Sequence, residues 1–327
     1  MMRRQCIRAP CPKIVDSDLT GSGGYYESYG LNYTLPLAKR FSDKGYKIYV
    51  DYHYSGNAGL QIQLDFLQYA NPKLSDYWAD PNKQYTPEEW PTSLEPLAST
   101  LRGYVASTLE AFARAGVNPS IVSLGNEIRN GILWPYGKVD VNIEPASARI
   151  QNFTNLGILL AAARDGVRDA VAAGAQSPQV MIHIDDGWNQ TLQETWFSTL
   201  LATGKFGMAD WDVFGFSFYP FYGTAATLDN LRSSLTAMAK IYHKPIHVVE
   251  TDWPNECSGP DAPELSEPEI PVSAQGQIEW VTDIVDIVKG LPGNLGQGFN
   301  YCERDSTPAG DCVVSLIRVY RGASMGQ

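Results

Sequence analysis

Short runs of β-branched and aromatic residues alternate along this chain with longer stretches in which apolar residues recur every three or four positions. The strand-like runs are Lys47–Asp51, Ile121–Leu124, Val180–Ile184, Val213–Phe218, Ile246–Val249 and, less clearly, Gly298–Tyr301. Helical patterns join them: Leu97, Leu101, Val105, Leu109 and Phe112, then Ile150 to Val171, then Leu228 to Met238, then Ile278 to Val288. Strands buried on both faces and separated by helical crossovers predict a parallel sheet. Six such units in 327 residues, with no linker or repeat, predict one α/β domain over residues 1–327, a (β/α)8 barrel. A doubly wound sheet would want a glycine-rich phosphate loop after an early strand, and Gly21-Ser22-Gly23-Gly24 follows no clear strand.

Composition narrows the ligand. A net charge of −11 argues against nucleic acid and against an anionic membrane surface as partners. With 8 Trp and 18 Tyr, several of them beside carboxylates in loops, the chain suits a neutral, hydroxyl-rich ligand such as a sugar. Its five cysteines, Cys6, Cys11, Cys257, Cys302 and Cys312, form no close metal-ligand motif. Sequons at Asn32, Asn152 and Asn189 hint at secretion, although the first residues carry no apolar stretch of signal-peptide length. No segment is long and apolar enough to span a membrane.

Polar and aromatic residues gather directly after the strand runs. His53-Tyr54-Ser55 follows Asp51, Asn126-Glu127 follows Leu124, and Asp185-Asp186-Gly187-Trp188 follows Ile184. Tyr219-Pro220-Phe221 follows Phe218, and Glu250-Thr251-Asp252-Trp253 follows Val249. In a barrel these positions lie on the carboxyl-end face, where active sites form. Retaining cleavage of a glycosidic bond needs two carboxyl groups about 5 Å apart, one protonated and one ionised. Glu127 and Glu250 are the candidates, as acid/base and nucleophile; Asn126 would hold the sugar 2-hydroxyl, and Tyr219 would orient Glu250. His53 and His183 lack a ligand at metal-site spacing, so neither a metal nor another cofactor is expected.

These residues resemble glycoside hydrolase family 53 of the fungal type. The likeness is carried by Asp51-Tyr52-His53-Tyr54-Ser55, Asp76-Tyr77-Trp78-Ala79-Asp80-Pro81, Ile121 through Arg129 and Gly131-Ile132-Leu133-Trp134-Pro135. Phe216-Ser217-Phe218-Tyr219-Pro220-Phe221 and Val248 through Pro254 complete it. The resemblance implies a (β/α)8 barrel with Glu127 and Glu250 ending strands four and seven. It implies a monomeric, extracellular endo-β-1,4-galactanase acting on the galactan of pectin. Asp51, His53, Trp78, Asn126, Trp134, Asp185, Trp188, Tyr219 and Trp253 would be the residues that hold substrate. It also implies a disulfide between Cys257 and Cys312, with Cys302 as the spare partner. Bacterial relatives instead bind calcium near that loop, where Asp261, Glu264 and Glu267 stand here, but the cysteines argue against calcium in this chain.

The chain departs from the family pattern in three places. The first strand is not apparent, leaving an incomplete barrel in which Arg4–Arg8 faintly matches the second strand. Residues 56–75 interrupt a stretch that the family writes as continuous, and Cys302 replaces a tryptophan. Together these read as an imperfect gene model. Two other functions therefore stand beside the first: a non-catalytic galactan-binding copy, and a related barrel glycosidase acting on another β-1,4-glycan.

Overall fold

The computed structural model describes residues 13–14, 31–52, 54, 84–87, 89–257, 264–301 and 312–313. For residues 13, 14, 33, 256, 257, 312 and 313 only the backbone is described. His53, Trp78, Cys6, Cys11, Cys302 and the interruption at 56–75 lie outside the described residues. The chain divides into two compact units, one of Pro12–Met181 with Ser198–Trp211, the other of Ile182–Phe197 with Asp212–Gln327 and Met1–Cys11.

The first unit runs β1 (Lys13–Ile14), α1 (Leu31–Ser42), β2 (Ile48–Tyr52), α2 (Leu94–Arg114) and β3 (Pro119–Ser123). It continues through β4 (Gly131–Ile132), β5 (Gly137–Lys138), α3 (Ala146–Ala172) and the start of β6 (Gln179–Ile184). Strands β1, β2, β3 and β6 pair in that order, all parallel, while β4 and β5 form a small antiparallel hairpin. Helix α2 forms because Leu97, Leu101, Val105, Leu109 and Phe112 make one buried stripe. Helix α3 buries Phe153, Leu156, Leu160, Ala163 and Val167 in the same way. The two helices approach closely at Gly166, where a Cβ would stand 2.4 Å from the Arg102 carbonyl oxygen. Arg102 also bridges Asp169 at 2.6 and 2.8 Å, but both partners are exposed, so packing rather than this ion pair holds the helices together.

The second unit takes up β6 at Ile182 and the start of α4 (Gln190–Ala202). It then holds β7 (Val213–Ser217), α5 (Leu228–Tyr242), β8 (Ile246–Glu250), β9 (Glu256–Cys257), α6 (Ala274–Lys289), β10 (Gly296–Phe299) and β11 (Cys312–Val313). Strands β7, β8 and β10 pair in that order and are parallel. Every residue of β7 and β8 is buried, the pattern of strands covered on both faces. One cover is aromatic: the Phe197 ring of α4 meets Phe214 at 4.7 Å and Phe216 at 6.4 Å. At the other edge, Gly296 lets β10 close on α6, since a Cβ there would fall 1.8 Å from the Val288 carbonyl oxygen.

All six expected strands are present, displaced by at most two residues. A strand at Lys13–Ile14 pairs with Asp51 and Tyr52, where the sequence pattern shows none. Helices α1 and α4 also escape that pattern. Pro36 lies inside α1 and reads as a helix breaker, and Thr191, Thr195 and Thr199 weaken the helical signature of α4. No helix among the described residues is long and apolar enough to cross a membrane.

Two glycines of the first unit should respond to alanine in opposite directions. Gly103 has nothing within 4 Å of an added Cβ, so Gly103→Ala in the middle of α2 should stabilise by about 0.5–1 kcal/mol. Gly166→Ala presses on backbone and should destabilise by about 1–3 kcal/mol. Urea denaturation of the two variants checks this; equal midpoints would refute the close packing of α2 on α3.

Candidate active site

In the first unit the polypeptide leaves β3 through a turn with little freedom. Ser123 Oγ donates to the Gly125 carbonyl at 2.7 Å, and Leu124 N donates to Met181 O at 3.1 Å. Gly125 takes φ +157, and a Cβ there would meet Ile128 Cγ2 at 2.5 Å. Asn126 is buried, and its carbonyl accepts from Gln84 Nε2. Glu127 then adopts a left-handed conformation, φ 47 and ψ 53, just before the 3-10 turn Ile128–Asn130. A left-handed non-glycine residue costs about 1–2 kcal/mol, and here the buried Ile128 fixes the turn that imposes it.

Asp51 sits in β2 and is 8% exposed. Trp134 is 6% exposed: its Nε1 donates to Asn130 O at 2.8 Å, Tyr85 packs on it at 5.6 Å, and Lys138 Nζ stands 4.4 Å over its ring. Trp134, which the sequence expects to be a sugar-facing ring, is thus held in place from several sides.

In the second unit Glu250 ends β8 and is only 6% exposed. The β7–β8 ladder pairs Phe216 with Val248 but Ser217 with Glu250, so Val249 is the extra residue of a bulge. Bulges re-aim side chains beside functional sites. Tyr219 OH donates to Glu250 Oε2 at 2.8 Å. Ser217 Oγ and His183 Nε2 lie 2.8 Å apart, and a ring nitrogen of the fully buried His183 lies within 4.8 Å of a Glu250 carboxylate oxygen.

Asp185 is buried after β6, and the left-handed Asp186 follows it. Gln193 Nε2 ties this turn by donating to the Asp185 and Asp186 carbonyls at 2.7 and 2.9 Å. Gly187 N donates to Ser217 O at 2.9 Å, and the half-buried Trp188 comes next.

Trp253, also among the expected substrate-holding residues, is fully buried. Its Nε1 donates to Pro271 O at 3.0 Å and its ring packs against Trp280 at 5.0 Å. Gln277 donates to the Trp253 carbonyl at 2.9 Å, and Trp280 Nε1 donates to Thr251 Oγ1 at 2.8 Å. The loop after Glu250 is thus clamped from behind. Gln193, Ser217, Gln277 and Trp280 have no spacing signal in the sequence and emerge only in three dimensions.

His247, three residues before Glu250, is buried, and its pKa falls to about 4. Burial is the main cause and the nearby His183 adds to it, while a 3.1 Å contact with Asn300 opposes both. Nδ1 of His247 has no hydrogen-bond partner among the described residues, so an imidazolium there would leave one N–H unsatisfied. Between the ordinary value of 6.5 and about 4, the unfolded chain binds a proton that the folded chain refuses. Stability should therefore fall as pH drops through that window, by about 3 kcal/mol at pH 4. His247→Gln should flatten the decline in melting temperature from pH 6.5 to 4; an unchanged slope would assign the acid sensitivity to another group.

The chain is similar to known proteins along most of its length. The model of glycosyl hydrolase family 53 matches residues 56–326. The arabinogalactan endo-β-1,4-galactanase of Thermothelomyces thermophilus is 36% identical over 270 residues, which are 82% of this chain and 71% of the relative. A probable arabinogalactan endo-β-1,4-galactanase A of Aspergillus tubingensis is 39% identical over 274 residues, 82% of this chain and 68% of the relative. Among solved structures, a fungal β-1,4-galactanase matches with a TM-score of 0.70 at 35% identity, over 86% of this chain and 74% of the other. The family 53 catalytic domain of Ignisphaera aggregans gives 0.66 at 24% identity, over 88% and 71%, a likeness of fold alone.

Proposed function

The chain belongs to glycosyl hydrolase family 53, and from that membership we propose that it cleaves internal β-1,4-galactosidic bonds of pectic (arabino)galactan with retention of configuration. Its fold is the α/β architecture of the family's (β/α)8 barrels. Glu127, in its acid form, protonates the glycosidic oxygen as the bond to the anomeric carbon breaks. The Glu250 carboxylate attacks that carbon and forms a glycosyl ester. Glu127, now the base, takes a proton from water, and the water oxygen displaces Glu250.

The single observation that carries this reading is the nearly buried Glu250 at the end of β8, with the Tyr219 hydroxyl on Oε2 at 2.8 Å. That hydrogen bond fixes the direction of the carboxylate that is to attack. Asn126 follows as the partner of the sugar 2-hydroxyl, with Asp51, His53, Asp185, Trp78 and Trp188 holding other hydroxyls or ring faces. Trp134 and Trp253 complete the proposed substrate-holding set, each packed by neighbours close to Glu127 and Glu250 in the chain. We further propose an extracellular monomer that works on a soluble or cell-wall polysaccharide without a membrane or nucleic-acid partner.

Linear β-1,4-galactan is the substrate to use, with reducing ends as the readout and the anomer of the first product read by NMR. Glu250→Gln should lose at least about a thousandfold in kcat. Tyr219→Phe removes one hydrogen bond to a charged group and should lose roughly 10- to 100-fold. A parent that melts cooperatively but leaves galactan uncut would overturn the assignment, and an inverted product would overturn the two-step mechanism.

A disulfide between Cys257 and Cys312 is part of the proposal. It is supported by the β9–β11 register, which sets the two residues directly opposite each other. Mass spectrometry of a non-reduced digest should find the Cys257 and Cys312 peptides linked; both thiols alkylated without prior reduction would refute it.

A further inference from the structure

Tyr222 is the most exposed of the large hydrophobic side chains among the described residues, at 54%; the others in that set, Met208, Ile241, Val272 and Ile278, are aliphatic. An aromatic ring left this open forgoes part of the burial it could have, and its free surface can be covered by a ligand. Its position is informative. Tyr222 lies three residues after Tyr219, in the turn that follows β7, and Tyr219 is the residue whose hydroxyl meets Glu250.

The turn holds the ring in one orientation. Tyr219, Phe221 and Tyr222 form a closed aromatic trio, with centroids 5.3 Å apart for Tyr219–Phe221, 5.6 Å for Tyr219–Tyr222 and 4.9 Å for Phe221–Tyr222. Tyr222 stands nearly perpendicular to both partners, at 84° and 72°, while they tilt by only 31° from each other. The backbone is pinned on either side: Pro220 O accepts from Ser266 N at 2.8 Å, and Gly223 O accepts from Ala226 N at 3.0 Å. Gly223 takes φ +110, a value open to glycine, which lets the chain turn away immediately after the ring. A ring fixed before the ligand arrives loses little conformational entropy on binding.

Resting on the galactanase reading, we infer that Tyr222 is a sugar-stacking residue that binds a galactosyl unit of the same chain whose bond Glu250 attacks. The chemistry of the sugar fits. A β-galactose ring with its axial 4-hydroxyl has one face bare of hydroxyls, and the C–H groups there lie flat on an aromatic ring. The net charge of −11 is compatible with a neutral glycan and unfavourable to an anionic one. The contact is made away from the reacting carbon, so it tightens binding without stabilising the transition state selectively.

The test compares Tyr222→Ala and Tyr222→Phe with the parent on linear β-1,4-galactan. Tyr222→Ala should raise KM roughly 3- to 10-fold with kcat within about twofold, and Tyr222→Phe should restore the parental KM. Calorimetry of galacto-oligosaccharide binding to Glu250→Gln, with and without Tyr222→Ala, should show the same loss of affinity where no catalysis intervenes. Unchanged KM and affinity in Tyr222→Ala, with galactan still cut, would overturn the stacking role and leave the galactanase reading intact. A KM that Phe fails to restore would overturn stacking in favour of the hydroxyl. A fall in kcat alone would make Tyr222 a prop for Tyr219. If the parent neither binds nor cuts galactan, the galactanase reading fails and this inference fails with it.

Discussion

A carboxyl group that is 6% exposed at the end of a wholly buried strand has lost most of its water and needs protein donors in its place. Much of the second unit answers that demand. The bulge at Val249 sets Glu250 opposite Ser217, two residues before Tyr219, and Tyr219 supplies the donor. His183 is held by Ser217 on the neighbouring strand, and the loop beyond Glu250 is anchored through Trp253, Gln277 and Trp280. The cost is paid in polarity: His247 is enclosed two register pairs away, and burial lowers its pKa to about 4.

The sequence made the strands legible because parallel strands covered on both faces need continuous apolar runs, and Val213–Ser217 and Ile246–Glu250 are such runs. Helices with a single buried stripe, such as α2 and α6, were legible for the matching reason. Lys13–Ile14 was not, because two residues carry no periodicity and only a partner strand defines them. The candidate site divides along the same line. Glu127, Glu250 and Tyr219 stand immediately after strand runs and can be picked out by position. Gln193 is eight residues beyond Asp185 along the chain, and its two hydrogen bonds exist only because α4 folds back over the turn.

Aromatic residues were the least legible part, since composition treats every tryptophan near a carboxylate alike. The decisive quantity is whether a ring face is already covered. Lys138 covers Trp134, and Trp280 and Pro271 account for Trp253. Tyr222, in contrast, shows 54% of its surface although it belongs to an aromatic trio. Indole N–H groups explain part of the difference. Each needs an acceptor when buried, and Asn130 O and Pro271 O are backbone acceptors already fixed by local turns.

Glu127 and Glu250 share one further property that no alternation rule conveys. Each stands where the regular period of its strand has just been broken. Beyond β3 the break is Gly125 followed by a left-handed Glu127, and in β8 it is the extra residue Val249. In an unbroken strand the direction of a side chain follows from counting in twos, so a one-residue slip reverses it. Here the direction comes instead from contacts that fix the break. Ile128 admits only glycine at 125, and the pairing of Ser217 with Glu250 fixes the bulge. Substituting Gly125 should therefore disturb the aim of Glu127 before it disturbs β3, because the clash falls on the turn that carries the carboxylate and not on the ladder beneath it.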